Sequence, residues 1–180
     1  MKEEAKKFAE MAHHGQTRKN SHAPYVTHPI RVAQRLEAEG YSDQLVCAGY
    51  LHDVVEDTIY EIEDIQKQFG SKVAELVAAH TEDKSKSWEE RKQHTIDTVR
   101  EGSKDVKFLI VADKLDNLLG QEQDMERLGD KAWDNFNAGY DKQKWYNQSI
   151  CDVMYSGLKK EDIPDYFREY EALIKRVFNS

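Results

Sequence analysis

The sequence predicts an all-α fold in a single domain, with few or no β-strands. Only three prolines and nine glycines occur among 180 residues, and sheets connected by many tight turns normally need more of both. Apolar residues recur at helical spacing in most segments, and no stretch alternates convincingly between apolar and polar residues. A chain of this length can bury a real core, so we expect residues 1–180 to form one domain.

The N-terminal third of the chain predicts three helices. The first covers residues 2–14, where alanine and phenylalanine recur at helical spacing. A polar loop, GQTRKNSHAPYVT, follows over residues 15–27. Pro29 fits the first turn of the second helix, because its missing N–H costs nothing there, and Gly40 ends that helix. Ser42 is the expected cap of the third helix.

Helical periodicity continues through the rest of the chain. Further helices are predicted at residues 61–69, 71–81, 88–101, 104–119, 129–156 and 165–178. The segment HTEDKSKSWEERK, residues 80–92, is strongly charged and is expected to begin as an exposed, mobile loop, of which Glu82 to Arg91 is the polar part. The aromatic residues after it are expected in the core or in an interface rather than stacked on a nucleobase: Trp133, Tyr140, Trp145 and Tyr146.

The charge balance limits the partners that the protein can have. The net charge is −8. This argues against a nucleic acid or an anionic membrane surface as the main partner, because phosphate groups are bound by positive patches. A small anionic ligand held by a few local cations or by a metal remains compatible with the composition.

Cysteine usage and hydropathy indicate the compartment. Cys47 and Cys151 are too few and too far apart for a disulfide framework, so a reducing cytoplasm is the default expectation. No apolar run approaches the roughly 20 residues that a transmembrane helix needs. We therefore expect a soluble cytoplasmic protein, and the sequence leaves its oligomeric state open, a homo-oligomer included.

Residues 51–58, LHDVVEDT, place a histidine and three acidic residues between apolar ones. If this stretch is mainly the end of the third helix, His52 lies one turn before Glu56. Asp53 likewise lies one turn before Asp57. The helix would then carry a His–Asp pair and, one turn later, a Glu–Asp pair. A solvated acidic helix end is the commoner explanation of an isolated His-Asp pair, so this segment alone is a weak signal.

Asp113 is the second unusual charge. In VKFLIVADKLDNLLG it continues an apolar stripe that includes Val106, Leu109 and Ile110. An ionised carboxylate on such a stripe is costly unless it is paired or binds a metal. A buried ion pair or polar contact explains this residue as well as a metal ligand does.

His28 is the third candidate, immediately before Pro29 at the start of a helix. A histidine there, taken alone, more often caps or packs. Together with His52, Asp53 and Asp113 it supplies two imidazoles and two carboxylates. Such mixed nitrogen and oxygen donors suit a divalent first-row metal with open water positions, such as manganese, better than a closed structural zinc site.

Three segments carry a resemblance to a known family. GQTRKNSHAPYVTHPIRVA, LHDVVEDT and VADKLDNL resemble the signatures of the guanosine 3′,5′-bis(diphosphate) (ppGpp) hydrolase domain of the RelA/SpoT family. That domain is a branch of the HD-domain metal-dependent phosphohydrolases, and its H…HD…D pattern is matched here. The length is similar to that of the stand-alone small alarmone hydrolases of the Mesh1 type. The resemblance covers residues 5–120 and implies an HD-type helical bundle.

The resemblance implies hydrolysis of ppGpp to GDP and pyrophosphate by water activated on a single Mn²⁺. The residues that match the family's metal ligands are His28, His52, Asp53 and Asp113. Glu56 and Asp57 match the acidic pair that activates and orients the attacking water.

Three further positions match residues near the substrate. Arg18 and Lys19 match the basic pair near the guanine and the phosphates. Asn117 matches the polar residue near the nucleotide sugar and phosphate, although Asp116 beside it adds negative charge to that region.

Two other functions stay open, and some polar side chains are expected to have no functional role. The chain could be an HD phosphohydrolase for another nucleotide or phosphate ester. A non-catalytic nucleotide sensor fits less well, because a binding module does not need the acidic pair. Arg31 and Lys114 are expected to be solvated, and His80 has no partner that the sequence identifies.

Overall fold

The architecture is helical, and the predicted fold class is confirmed. A computed structural model describes residues 1–134 and 138–178. Within those two ranges the chain forms no β-strand, and its extended pairing is limited to an isolated antiparallel bridge between Thr17 and Pro24. This bridge lies in the predicted polar loop.

The helices are numbered in chain order: α1 (Lys2–Ala12), α2 (Thr27–Ala38), α3 (Asp43–Leu51), α4 (Val54–Asp57), α5 (Ile62–Phe69), α6 (Ser71–His80), α7 (Trp88–Glu101), α8 (Lys104–Leu128), α9 (Tyr140–Val153) and α10 (Asp165–Phe178). Short 3₁₀ turns at Gly129–Trp133 and Lys160–Asp162 precede α9 and α10. The chain divides into two compact units, Met1–Glu82 with α1 to α6 and Asp83–Ser180 with α7 to α10.

Local capping chemistry sets several helix ends. The Leu45 N–H donates to the Ser42 hydroxyl at 3.2 Å, which confirms the predicted cap of α3. α7 begins with a capping box, in which the side chains of Ser87 and Glu90 each accept a backbone N–H from the other residue. α7 and α10 have the bounds that the sequence predicts.

Two predicted helices of the second unit have wrong bounds. α8 continues past Gly120, which keeps a helical backbone, and ends before Gly129, whose φ of 62° is left-handed. The helix predicted over 129–156 begins instead as a 3₁₀ turn, and α9 starts only at Tyr140. Residues 135–137 of that prediction lie outside the described residues.

The first unit is built around α3, which packs against α1, α2 and α6. Every residue of α3 from Leu45 to Leu51 is buried. Gly49 permits a close approach of α2, because a Cβ at this position would lie 2.9 Å from the Ala33 Cα. This contact brings together the helix that carries His28 and the helix that leads into His52.

The second unit has an aromatic core around α10, which packs against α8 and α9. The buried Tyr166 hydroxyl donates to the Phe108 carbonyl at 2.8 Å. The buried Tyr170 hydroxyl donates to the side-chain oxygen of Asn147 at 2.6 Å. The phenols therefore keep hydrogen-bond partners inside an apolar core.

The aromatic residues near α9 are only partly in the core. Trp133 and Tyr146 are buried, as predicted. Trp145 is 40% exposed, so it is not a core residue, and its place in an interface stays a prediction. Consecutive helical side chains point about 100° apart, so burial of Tyr146 turns Trp145 outward, where its ring lies 6.1 Å from that of Trp88.

α8 is long enough to cross a bilayer, at 25 residues, but it carries charges along its length, including Asp113, Lys114 and Asp116. In the parts of the chain that the structure describes, no helix combines the length and the apolar character that a membrane span requires.

Candidate metal centre

LHDVVEDT does not form the continuous helix end that its spacing predicts. α3 ends just before His52, a turn contains His52 and Asp53, and α4 follows. Both turn residues keep helical backbone angles, and the Asp57 N–H donates to the Asp53 carbonyl at 3.0 Å. The one-turn spacing of Asp53 and Asp57 is therefore retained, whereas His52 lies in the turn and Glu56 on α4.

The turn places its two polar side chains against His28 at the start of α2. His52 Nε2 lies 3.1 Å from Asp53 Oδ2, and His28 Nε2 lies 3.8 Å from the same oxygen. The centres of the two imidazole rings are 5.2 Å apart, with an angle of 79° between the ring planes. Each of the three residues offers a ligand atom within 4.8 Å of those of the other two. A single cation could contact all three.

The cluster is shielded from water. His28 and His52 are fully buried, and Asp53 is 6% exposed. A buried carboxylate is stable only with hydrogen bonds or opposite charges around it. The Tyr25 hydroxyl supplies one such bond, because it donates to Asp53 Oδ2 at 2.6 Å.

The hydrogen bonding of His52 indicates which ring nitrogen carries the proton. His52 Nδ1 lies 2.6 Å from the Gly49 carbonyl oxygen, which can only accept, so Nδ1–H is the donor. In the neutral ring this leaves a lone pair on Nε2, the arrangement found in metal-ligating histidines. A lone pair that faces a carboxylate oxygen at 3.1 Å is repulsive, so this contact requires a proton or a metal cation.

The acidic residues of α4 lie beside this cluster. Asp53, Glu56 and Asp57 each have a carboxylate oxygen within 4.8 Å of the others. Burial raises the pKa of Glu56 from 4.5 to about 7, and neighbouring carboxylates add to the rise. A hydrogen bond from the Glu82 N–H to Glu56 Oε1, at 2.8 Å, opposes it. Glu56 can therefore exchange a proton near neutral pH.

The polar loop between α1 and α2 is closed at its base. The Arg18 N–H donates to the Ala23 carbonyl at 2.9 Å, and the Tyr25 N–H donates to the Gln16 carbonyl at 2.8 Å. The Gln16 side chain also donates to the Asp57 carbonyl at 3.0 Å. The loop is thus held both to itself and to α4.

The loop carries the predicted basic pair. Arg18 is half-buried, and its guanidinium carbon lies 5.4 Å from the centre of the Tyr25 ring. Lys19 is exposed. Arg31, on α2, is exposed as well, in agreement with its predicted solvated position.

Asp113 belongs to the second unit, where it is 2% exposed on α8. Its Oδ2 lies 3.0 Å from Lys114 Nζ, and its Oδ1 accepts a hydrogen bond from the Asn117 amide at 3.3 Å. Lys114 is only 14% exposed, and its ammonium lies 5.4 Å from the Tyr146 ring centre. The prediction that Lys114 is solvated is therefore wrong, because its charge offsets that of a buried carboxylate.

His80 is a neighbour of the cluster that the sequence did not reveal. It ends α6, is 9% exposed, and its ring centre lies 4.7 Å from that of His52. No local spacing relates the two histidines, since only the packing of α6 against α3 brings them together. Tyr25 was missed for a different reason: it stands three residues before His28, so a helical turn could have indicated its proximity.

The donor set of the first unit fits a divalent first-row metal. It combines imidazole nitrogen with carboxylate oxygen, and no cysteine contributes to the group. Shielding from water and the direction of the His52 lone pair also suit a bound cation. The residues that could hold it there are His28, His52 and Asp53.

Comparison with known proteins supports this chemistry. A family model of the HD domain matches residues 5–133. Human guanosine-3′,5′-bis(diphosphate) 3′-pyrophosphohydrolase MESH1 is 38% identical over 133 residues, which is 72% of this chain and 72% of that protein. MESH1 of Drosophila melanogaster is 41% identical over 118 residues, 64% of this chain and 66% of that protein.

Solved structures share the fold. A protein of Listeria monocytogenes EGD-e, lmo0812, has a TM-score of 0.81 and 49% identity, over 87% of this chain and 97% of that chain. A metazoan orthologue of SpoT that hydrolyses ppGpp has a TM-score of 0.78 and 30% identity, over 98% of this chain and 94% of that chain. The chain therefore belongs to the HD-domain family, as a relative of the ppGpp 3′-pyrophosphohydrolases.

Proposed function

We propose that this protein hydrolyses ppGpp to GDP and pyrophosphate. The observation that carries the proposal is the buried group of His28, His52 and Asp53 with Glu56, whose pKa is about 7, beside it. Similarity to the MESH1 enzymes and to the metazoan SpoT orthologue supports ppGpp as the substrate.

The proposed cofactor is Mn²⁺, with His28, His52 and Asp53 as ligands and Asp113 as the fourth. The mixed donor set supports a metal of this class, and so does the Nε2 lone pair that remains when His52 Nδ1–H donates to the Gly49 carbonyl. Such a cation, when bound, lowers the pKa of its water and polarises a phosphoryl oxygen. Asp113 is a suitable addition because it is a buried carboxylate, a ligand type that such metals accept, and Lys114 lies beside it at 3.0 Å.

Glu56 is the proposed general base. With a pKa of about 7 it is ionised in a sizeable fraction of molecules at neutral pH, and a well-placed base contributes on the order of 10²–10⁴-fold to the rate. Asp57 is proposed to orient the same water molecule. In the reaction, a P–O bond forms from water, the bond between phosphorus and the 3′ oxygen breaks, and that oxygen takes up a proton.

Three residues are proposed to contact the nucleotide. Arg18 and Lys19 would lie near the guanine and the phosphates, where positive charge offsets that of the substrate. Packing on Tyr25 limits the motion of the Arg18 guanidinium and so prepares it for this contact. Asn117 would lie near the sugar and phosphate.

The direct test is an assay of the purified protein with Mn²⁺ and ppGpp, in which GDP and pyrophosphate are both identified by ion-exchange chromatography. Asp53→Asn should lower the rate at least about 100-fold, because it removes an anionic ligand. Glu63→Gln is the matched control, since it removes an acidic charge from an exposed position on α5. Absence of pyrophosphate release by the unaltered chain with any divalent metal at neutral pH would refute the proposal.

The same assay separates the alternatives. Inorganic phosphate from other nucleotides, with ppGpp unreactive, would identify a different HD phosphohydrolase. Tight ppGpp binding without turnover would identify a sensor.

We also infer a cytoplasmic location. Cys47 and Cys151 are both free thiols, and the first is buried. Free thiols are typical of a reducing compartment. Fractionation of the cells that produce the protein, followed by immunodetection, would test this.

A further inference from the structure

We propose that Tyr25 is a positioning residue, which holds the Asp53 carboxylate in its metal-binding orientation and connects it to Arg18. The inference rests on the proposed function, since it takes Asp53 as a metal ligand. Tyr25 belongs neither to the proposed metal ligands nor to the proposed substrate contacts.

The hydroxyl of Tyr25 acts on a particular oxygen of Asp53. It donates to Oδ2 at 2.6 Å, the short distance expected of a hydrogen bond to a carboxylate. The same oxygen faces Nε2 of His52 and Nε2 of His28. Rotation of the carboxylate away from the two histidines would therefore break the bond to Tyr25.

The backbone of Tyr25 is held on both sides of its side chain. Its N–H donates to the Gln16 carbonyl at 2.8 Å, and its carbonyl accepts the His28 N–H at 3.0 Å. The residue thus has a fixed position between the closed loop and the first turn of α2. Because the Tyr25 backbone is held in place, its hydroxyl has a nearly fixed position, and the hydrogen bond restricts rotation of the Asp53 carboxylate.

The ring of Tyr25 has a second contact that is independent of its hydroxyl. The Arg18 guanidinium lies 5.4 Å from the ring centre, within the range of a cation–π interaction. The buried His13 ring lies 5.1 Å away, and its Nδ1 is fixed by Gln16 Oε1 at 2.9 Å. One side chain therefore contacts the metal site through its oxygen and the basic loop through its aromatic ring.

The two contacts can be separated by substitution. Tyr25→Phe removes the hydroxyl and keeps the ring, whereas Tyr25→Leu removes both. Loss of a residue that orients a ligand typically weakens metal binding 10- to 100-fold. Tyr25→Phe should therefore weaken Mn²⁺ binding by about that factor and leave the contribution of Arg18 to nucleotide binding unchanged.

Metal affinity is measured by titration with Mn²⁺ in the absence of nucleotide, with the free ion quantified by electron paramagnetic resonance. Tyr50→Phe is the matched control, because it removes a phenol hydroxyl from the same unit. Besides burial, the groups that raise the pKa of Tyr50 are Glu37, Glu3 and Cys47, and none of them is a proposed metal ligand. Thermal unfolding monitored by circular dichroism shows whether each variant is folded.

Nucleotide affinity is measured with ppGpp in EDTA, so that no metal contributes. Tyr25→Leu should lower this affinity as much as Arg18→Ala does. The double variant should then bind ppGpp about as weakly as either single variant, because both changes remove the same interaction. Tyr25→Phe should bind as the unaltered chain does.

Unchanged Mn²⁺ affinity in folded Tyr25→Phe overturns the inference, and so does an equal loss in Tyr50→Phe. A chain that binds no Mn²⁺ overturns it together with the metal site. A chain that binds Mn²⁺ but releases no pyrophosphate from ppGpp refutes the proposed function alone, and the titration of Tyr25→Phe then still decides the role of Tyr25.

Discussion

Glu56 should make the metal-free protein less stable as the pH rises. Its pKa is about 7 in the folded chain, against an ordinary value of 4.5. The folded state therefore binds this proton more tightly than the unfolded chain does. The resulting stability is fully present below about pH 4.5 and is lost as the pH rises through about 7.

The size of the effect follows from the difference in pKa. One pKa unit corresponds to about 1.4 kcal/mol, so a rise from 4.5 to about 7 gives about 3–4 kcal/mol as an upper value. Partial exposure of the side chain lowers this to about 2 kcal/mol. Glu56→Gln cannot ionise, but it keeps an oxygen that can accept the Glu82 N–H. The free energy of unfolding of Glu56→Gln should therefore not show this decrease as the pH rises.

The assay is urea unfolding in EDTA, followed by circular dichroism at about pH 5 and about pH 8, which cover most of the range over which this stability is lost. Between the two pH values, the free energy of unfolding of the unaltered chain should fall by about 2 kcal/mol more than that of Glu56→Gln. Glu63→Gln, at an exposed position of α5, should follow the unaltered chain. Equal changes for the unaltered chain and Glu56→Gln would show that Glu56 does not titrate as its burial implies.

Three further substitutions test the packing and the capping. Gly49→Ala should lower the free energy of unfolding by about 1–3 kcal/mol, because its Cβ would meet the α2 backbone; an unchanged melting temperature would contradict the close approach. Ser42→Ala should cost about 1 kcal/mol in urea unfolding through loss of the α3 cap, and Ser42→Asp should restore most of it. Lys107→Met should cost about 1–3 kcal/mol, because the carbonyls of Val99 and Arg100 would lose their buried donor, and a rise in the urea midpoint would refute this account.

Helix class and several helix bounds were predictable because their causes are local. α7 has a capping serine, Ser87, before its first residue and Gly102 after its last, so both ends are marked in the sequence. Ser42 is likewise recognisable without knowledge of the fold. Such signals act over a few residues, which is the range that a sequence pattern describes.

Other bounds depended on interactions that the pattern does not contain. Gly120 and Gly129 look alike in the sequence, yet the first continues α8 and the second ends it with a left-handed φ. The turn at His52 and Asp53 contains neither glycine nor proline, and its residues keep helical angles, so helical periodicity passes through it unchanged.

The candidate site shows the same division. Helical spacing and the family pattern directed attention to His28, His52 and Asp53, which the structure places together. The contact of His80 with His52 depends on the packing of α6 against α3, and no pattern predicts it. Lys114 was missed because a lysine is usually solvated, whereas here a buried carboxylate retains it.

Gly49 affects both the packing of two helices and the hydrogen bonding of a candidate metal ligand. Its missing side chain sets the distance between the α2 and α3 backbones, while its carbonyl determines which nitrogen of His52 carries the proton. Any residue that widens the helix spacing here would also shift the acceptor that selects the imidazole tautomer. A substitution at Gly49 would therefore change two things together: the packing of α2 against α3, and the hydrogen bond that orients the His52 ring.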